Sequence, residues 1–276
     1  MELFVLRDAT PDMLEAPRGL NLLMDSDGHR IFGRLLLPAF YDETSTCPVI
    51  VMLHGHPGGD KNLDVAEALR AHGFAVAIGA YRGIWGSQGD YLLSHNIEDT
   101  IVTVEYLRKR ATDWRLDPDR IYLYGHSMGG FSALNAMARG LKVSGAVLMA
   151  PCDTGYRHLY APQGVKGLMD CKANGYFRLS SEHAMEEDIE ANARQWYFPN
   201  LVSKLDKTIP YCFIGGTNDA TTPPEQHIVP MLTAMQEQGF DVCYHLLEDG
   251  HMFPRHRATL ARIALEHFQK AEESRK

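Results

Sequence analysis

Apolar and polar residues fall into blocks along this chain, and the period of the blocks changes from two to nearly four and back. Residues 20–24 and 30–37 read as two strands joined through Asp25-Ser26-Asp27-Gly28, a hairpin-type connection. Val49-Ile50-Val51-Met52-Leu53 is an unbroken apolar run, as a strand covered on both faces requires. A helical stretch at 63–71 stops at Gly73 and feeds a second buried run at 74–78. Ile97, Ile101, Val104 and Leu107 then share one helical face between residues 97 and 108. Strands at 121–124 and 145–149 enclose a helix at 131–138, and strands at 211–214 and 242–247 are each followed by a helix, one after Pro224 and one at 257–270. Strands alternating with helices imply right-handed crossovers. The pattern therefore predicts the α/β class: a mostly parallel eight-stranded sheet with helices on both faces, opened by an antiparallel hairpin. The rhythm pauses at about 155–205, around a helical stretch at 185–196, so a single domain over 1–276 with that insertion is expected. Ligands of such sheets bind beyond the carboxyl ends of the strands.

Composition narrows the function classes. The 276 residues are 45% hydrophobic and 22% charged, which excludes a disordered or fibrous protein. With 27 basic against 35 acidic residues, a formal net charge of -8 and no basic run, neither nucleic acid nor an anionic membrane surface is an expected partner. The five cysteines (47, 152, 171, 212 and 243) are widely spaced and form no CxxC pair, so they read as buried or free thiols and not as a disulfide framework or zinc site. The first eight residues lack the features of a signal peptide, and no apolar run approaches the roughly 18 residues of a membrane span. A cytoplasmic setting is the expectation.

The strand at 121–124 runs into Gly125-His126-Ser127-Met128-Gly129-Gly130 and then a helix. This places G-x-S-x-G in the strand–turn–helix context that gives it meaning, with Ser127 on a tight turn at a helix N-terminus. A serine hydroxyl needs a base to take its proton. His251, on the loop after the last strand, stands out by position among 13 histidines. The imidazole in turn needs a carboxylate to set its tautomer. Asp219, the first acid after the strand at 211–214, is the choice; Asp249 and Asp153 are rivals, Asp249 reading as a turn cap. Oxyanion donors are expected from the N–H of Met128 and, in the glycine-rich loop His54-Gly55-His56-Pro57-Gly58-Gly59, from that of His56. A metal-binding H-x-H-x-D-H reading of that loop fails, because Gly58 and Gly59 stand where an acid and a histidine are required. No metal and no cofactor is expected, since no cofactor fingerprint follows a strand.

These features together resemble the α/β-hydrolase superfamily, in the order serine, acid, histidine. Within it the chain is similar to the serine esterase and prolyl-oligopeptidase-like branch, including bacterial cinnamoyl and feruloyl esterases. That branch carries an Asp-Tyr/Phe-Arg-Gly-x-Gly-x-Ser-x-Gly-like loop, here Ala80-Tyr81-Arg82-Gly83-Ile84-Trp85-Gly86-Ser87-Gln88-Gly89, with Ala80 in place of the acid. The resemblance implies the α/β-hydrolase fold and a cap made by the insertion, with Trp85, Tyr160 and Trp196 as substrate-binding candidates. It also implies hydrolysis of a small carboxylic ester, aryl or hydroxycinnamoyl among them, through an acyl-enzyme. The alternative is a peptidase or amidase of the prolyl-oligopeptidase-like type. Against it, the roughly 20 residues before the first strand are far short of a propeller blade, and Glu186-Glu187 is a weak amine-binding pair. A non-catalytic binding protein on the scaffold is disfavoured because every catalytic position is kept. A homo-oligomer is left open.

Overall fold

The hairpin closes through only two residues. Asp27 (φ 51°) and Gly28 (φ 75°) both adopt left-handed φ, the turn whose twist suits paired strands, so the first strand extends to Ser26. The computed structural model describes residues 19–38, 46–59, 61–161 and 175–275. The N-terminal segment, part of the insertion (162–174) and Cys171 lie outside them. The strands are β1 (Gly19–Ser26), β2 (His29–Leu36), β3 (Cys47–Leu53), β4 (Ala75–Gly79), β5 (Leu116–His126), β6 (Ala146–Met149), β7 (Tyr211–Gly216) and β8 (Val242–Leu247). They form one sheet in the order β1-β2-β4-β3-β5-β6-β7-β8. The pairs β1–β2 and β2–β4 are antiparallel and the other five parallel, so the mostly parallel eight-stranded sheet is as the pattern predicts.

Helices α1 (Leu63–Ala71), α2 (Leu93–Lys109), α3 (Met128–Ala138), α4 (Thr154–Tyr160), α5 (Ala184–Trp196), α6 (Pro224–His227), α7 (Val229–Glu237) and α8 (Arg257–Glu273) complete the described chain. They make two cores, one on each face. Ile50 and Met52 of β3 pack with Val65 and Leu69 of α1 and Leu260 and Phe268 of α8. Val49, Val51 and Leu53 lie in the other core, with Ile97 of α2 and Phe131 of α3. That division is the period-two alternation of a strand buried on both sides. None of the described helices is long and apolar enough to cross a membrane.

The described parts of the insertion are pinned to this second core. Met185, Ile189 and Trp196 of α5 are buried in it. Helix α4 crosses α5 at Gly155, where a Cβ would come within 2.3 Å of Tyr197 N and 2.5 Å of Ala193 O, so no larger residue fits.

Helix α2 begins one turn earlier than the apolar period predicts, because Leu93, buried four positions before Ile97, continues the same face. The helix also buries polar residues, Asn96, Asp99, Thr100 and Thr103, and Asp99 is an anchor. Its carboxylate accepts hydrogen bonds from Arg82 N (2.6 Å), Arg82 Nε (2.8 Å) and Ser26 Oγ (2.6 Å), fixing the loop after β4 to α2 and β1. Both side chains of the Arg82–Asp99 pair are 1% exposed. Removing Asp99 leaves the buried guanidinium with the half-exposed Glu98 carboxylate as its remaining ion partner, and removing Arg82 strands the Asp99 charge in the core. Such a loss costs up to about 3–5 kcal/mol, whereas an apolar pair of similar volume recovers much of it. Asp99→Ala is therefore expected to lower the urea unfolding midpoint sharply, and Arg82→Met with Asp99→Leu to restore part of the loss.

Candidate active site

Strand β5 ends at His126, and the next residue turns the chain abruptly into α3. Ser127 has φ 55° and ψ −115°, a strained conformation for a residue with a side chain. The turn is over-determined by hydrogen bonds: Ser127 N donates to Met149 O (2.9 Å), and Ser127 O accepts from Gly130 N (3.0 Å) and Cys152 N (3.0 Å). The flanking glycines are required by contact. A Cβ at 125 would lie 2.6 Å from Gly129 O, and one at 129 only 1.9 Å from Leu53 O. Ser127 thus sits at the carboxyl edge of the central strand, ahead of a helix N-terminus.

The loops after β7 and β8 bring Asp219 and His251 together. His251 Nδ1 lies 2.8 Å from Asp219 Oδ2. The carboxylate can only accept, so Nδ1 carries the proton and Nε2 is left as an acceptor. Asp219 Oδ1 accepts from Thr221 N (2.8 Å) and Thr222 N (2.9 Å), and Oδ2 also accepts from Thr222 Oγ1 (2.8 Å). Burial alone would push this carboxyl up, but the His251 and Thr222 hydrogen bonds outweigh it and hold it down at about 2.

Two of these partners escape sequence reading. Thr222 Oγ1, its proton given to Asp219 Oδ2, stands 3.2 Å from His251 Nδ1 and 3.2 Å from Ala150 O, setting the acid loop beside the end of β6. His126, the variable residue of G-x-S-x-G, donates from Nε2 to His251 O (3.1 Å), and the two rings lie 5.0 Å apart. This contact sets the histidine loop beside the serine turn. Thr222 has a faint signal in Asp219-Ala220-Thr221-Thr222, a turn-forming pattern; His126 has none.

The rival acids serve elsewhere. Asp153 caps α4 through Tyr156 N (2.8 Å) and accepts from Phe198 N (3.0 Å). Asp249 holds its own turn, accepting from Gly250 N, Arg255 N and His256 Nδ1, each at 2.9 Å.

The loop 54–59 passes against the serine, since a Cβ on Gly55 would lie 3.1 Å from Ser127 Cβ. The His56 ring turns away into an aromatic nest, its Nδ1 3.1 Å from Tyr91 Oη and its centroid 5.2 Å from Phe177. His54 Nδ1 bonds Gly55 O at 2.8 Å, so the two histidines have separate partners. Met128 opens α3, and the N–H of a first helical residue has no acceptor within the helix. Among the described residues, the side chains with metal-ligand spacing are Cys212, Cys243 and His245, on β7 and β8.

The three pocket candidates separate. Trp85 is 55% exposed and borders the same loop, its Nε1 2.6 Å from where a Gly58 Cβ would stand. Tyr160, 63% exposed, stacks near Tyr156 and Tyr197, both at 5.6 Å. Trp196 is 2% exposed and meets Phe131 edge-on at 5.1 Å, which makes it core packing between α5 and α3 and not a wall of the site.

Histidines around the site give it an acid limit. Burial, foremost, pushes His54 and His56 down to about 4 and His126 and His227 to about 3. Each stays neutral in the fold yet binds a proton in the unfolded chain below about 6.5, so stability falls as pH drops from about 6.5 to about 4. Asp153, raised by burial to about 7, works the other way: its contribution falls as pH rises from about 4 to about 7. Four rings outweigh one carboxyl. The urea midpoint is expected to be lower at about pH 5 than at about pH 7.5, and Asp153→Asn to steepen that fall.

Comparison with known proteins agrees with the fold. Residues 44–235 match the family model Hydrolase_4, serine aminopeptidase, S33. The chain is 30% identical over 98 residues to the lysophosphatidylserine lipase ABHD12 of Danio rerio, 34% of this chain and 24% of that one. Its structure is similar to that of a puromycin hydrolase (TM-score 0.72, 21% identity, 93% of this chain and 40% of that one). It is also similar to Est1E from Butyrivibrio proteoclasticus (TM-score 0.67, 18% identity, 92% of this chain and 99% of that one). The chain therefore spans about a quarter of the lipase and two fifths of the puromycin hydrolase.

Proposed function

The chain belongs to the serine aminopeptidase S33 family of α/β-hydrolases, and on that footing we propose that it cleaves small carboxylic esters through an acyl-enzyme on Ser127. The observation that carries this reading is the Asp219–His251 pair, hydrogen-bonded at 2.8 Å and delivered to the serine turn through the His126 contact with His251 O. In the reaction His251 Nε2 takes the Ser127 proton as Oγ attacks the ester carbonyl. Asp219 keeps Nδ1–H in place and steadies the imidazolium. The N–H groups of Met128 and His56 receive the oxyanion. Collapse of the tetrahedral intermediate expels the alcohol, which leaves with the proton from His251. Water, deprotonated by the same ring, then frees the acid.

Trp85, exposed beside the oxyanion loop, supports an apolar or aryl acyl group. Tyr91 and Phe177, buried in the core, back the His56 ring from behind. A peptide substrate with a free amine calls for an unengaged acid at the site, and Glu186, the candidate, is exposed and paired with His183 at 3.0 Å.

Matched substrates decide between ester and amide. A p-nitrophenyl or hydroxycinnamate ester is expected to turn over far faster than an amino-acyl amide of the same acyl group. Turnover of the amide alone would overturn the esterase reading. Failure of the wild type to react with a fluorophosphonate probe would overturn the serine mechanism itself.

A further inference from the structure

Strands β7 and β8 bring two thiols and an imidazole together on a face of the sheet that ester hydrolysis leaves unused. The parallel register sets Cys212 opposite Cys243. His245 follows Cys243 by two positions, so all three side chains leave the same face. Cys212 is buried in the core layer that holds Ile214 and Phe268, while Cys243 is exposed and His245 half-buried. Cys243 Sγ lies 3.1 Å from His245 Nε2, and the three ligand atoms are all within 4.8 Å of one another.

A tetrahedral zinc ion with bonds of about 2.0–2.3 Å spaces its ligand atoms roughly 3.5–3.8 Å apart. The triangle therefore brackets the spacing such an ion needs, and a contraction of at most about 1 Å would close it. The donor types decide which cation. Two sulfurs and an imidazole suit zinc or another thiophilic ion, and the absence of oxygen donors from the trio disfavours calcium or magnesium. Lys270 on α8 lies near enough to Cys243 to oppose a cation electrostatically, but it is a single ammonium exposed to solvent. Entry is open through Cys243 at the surface.

We propose that Cys212, Cys243 and His245 form a Cys2His site for a thiophilic divalent cation, zinc by preference, with a fourth position open to water. The ion would clip β8, whose sheet partner among the described residues is β7, to its neighbour. These are the strands that lead into Asp219 and His251, so the clip would act on the stability of the sheet margin and take no part in hydrolysis. The thiols read in the sequence as bystanders because their partnership is made by strand register and not by spacing along the chain.

The test is a titration of the reduced, full-length protein with Co2+ in chelator-free buffer, with Zn2+ as competitor. The wild type is expected to bind a single equivalent with the thiolate-to-cobalt charge-transfer absorption of a cysteine site, and Zn2+ to displace it. Cys243→Ser should lose the band and His245→Gln weaken it, while Cys243→Ser keeps the wild-type near-ultraviolet circular dichroism and ester hydrolysis, showing that the fold is intact. A reduced wild type without the charge-transfer band overturns the site. So does a band that survives in Cys243→Ser.

Discussion

Ser127→Ala is expected to lower kcat/KM for an aryl ester by about 10^4 to 10^6, down to the residue supplied by binding and oxyanion donors alone. The fold should not register the change in kind. The strained turn is set by backbone bonds to Met149 and Cys152 and by the glycines at 125 and 129, none of which involves Oγ. Alanine at φ 55° is no worse placed than serine. Steady-state kinetics on purified variant and wild type, with melting curves beside them, checks both halves. A variant retaining a tenth of wild-type activity would remove Ser127 from the nucleophile's role.

Asp219→Asn is expected to cost about 10^4 in kcat with little change in KM. Four donors converge on the native carboxylate: Thr221 N, Thr222 N, Thr222 Oγ1 and His251 Nδ1. An amide offers one oxygen, and its NH2 must face either the threonine amides or the imidazole. If it faces the imidazole, Nδ1 must become the acceptor, and the proton moves to Nε2, where the base is needed. The loss should be largest in kcat because the pair acts on the proton transfer and not on substrate contact. A fall in KM-determined binding with kcat unchanged would contradict this role.

How much of this was legible in the chain depends on what kind of signal carried it. Strands β3, β4, β6 and β7 announce themselves because both-face burial leaves unbroken or near-unbroken apolar runs, and β8 through a shorter run of apolar and aromatic residues; the structure finds all five within about a residue or two. Strand β5 begins five residues before the apolar stretch, at Leu116, because Asp117-Pro118-Asp119-Arg120 interrupts the pattern. Helix α2 starts a turn early at Leu93, buried on the face of Ile97, and it buries Asp99 through an ion partner, Arg82, that hydrophobic periodicity cannot see. Ser127, Asp219 and His251 could be picked out because each follows a strand and lies beside glycines that a sharp turn demands. His126 and Thr222 act on a residue 125 and 29 positions away, through bonds that exist only once the sheet has formed. Trp196 is different, since its signal was present. Met185, Ile189, Ala193 and Trp196 form a helical stripe, and all four are buried. An aromatic on that stripe belongs to packing before it belongs to a pocket.

The proposed nucleophile and its proposed base live in unequal neighbourhoods. Ser127 terminates a strand with sheet partners on both sides, whereas His251 hangs from β8, the margin of the sheet, whose residues are all at least partly exposed. Amide protons at such a margin exchange through local openings that leave the centre untouched. A transient detachment of that one strand would disarm the enzyme while nearly all of its secondary structure persisted. On the proposed mechanism, inactivation is thus expected to precede unfolding, with the lifetime of the chemistry set by the outermost ladder of hydrogen bonds.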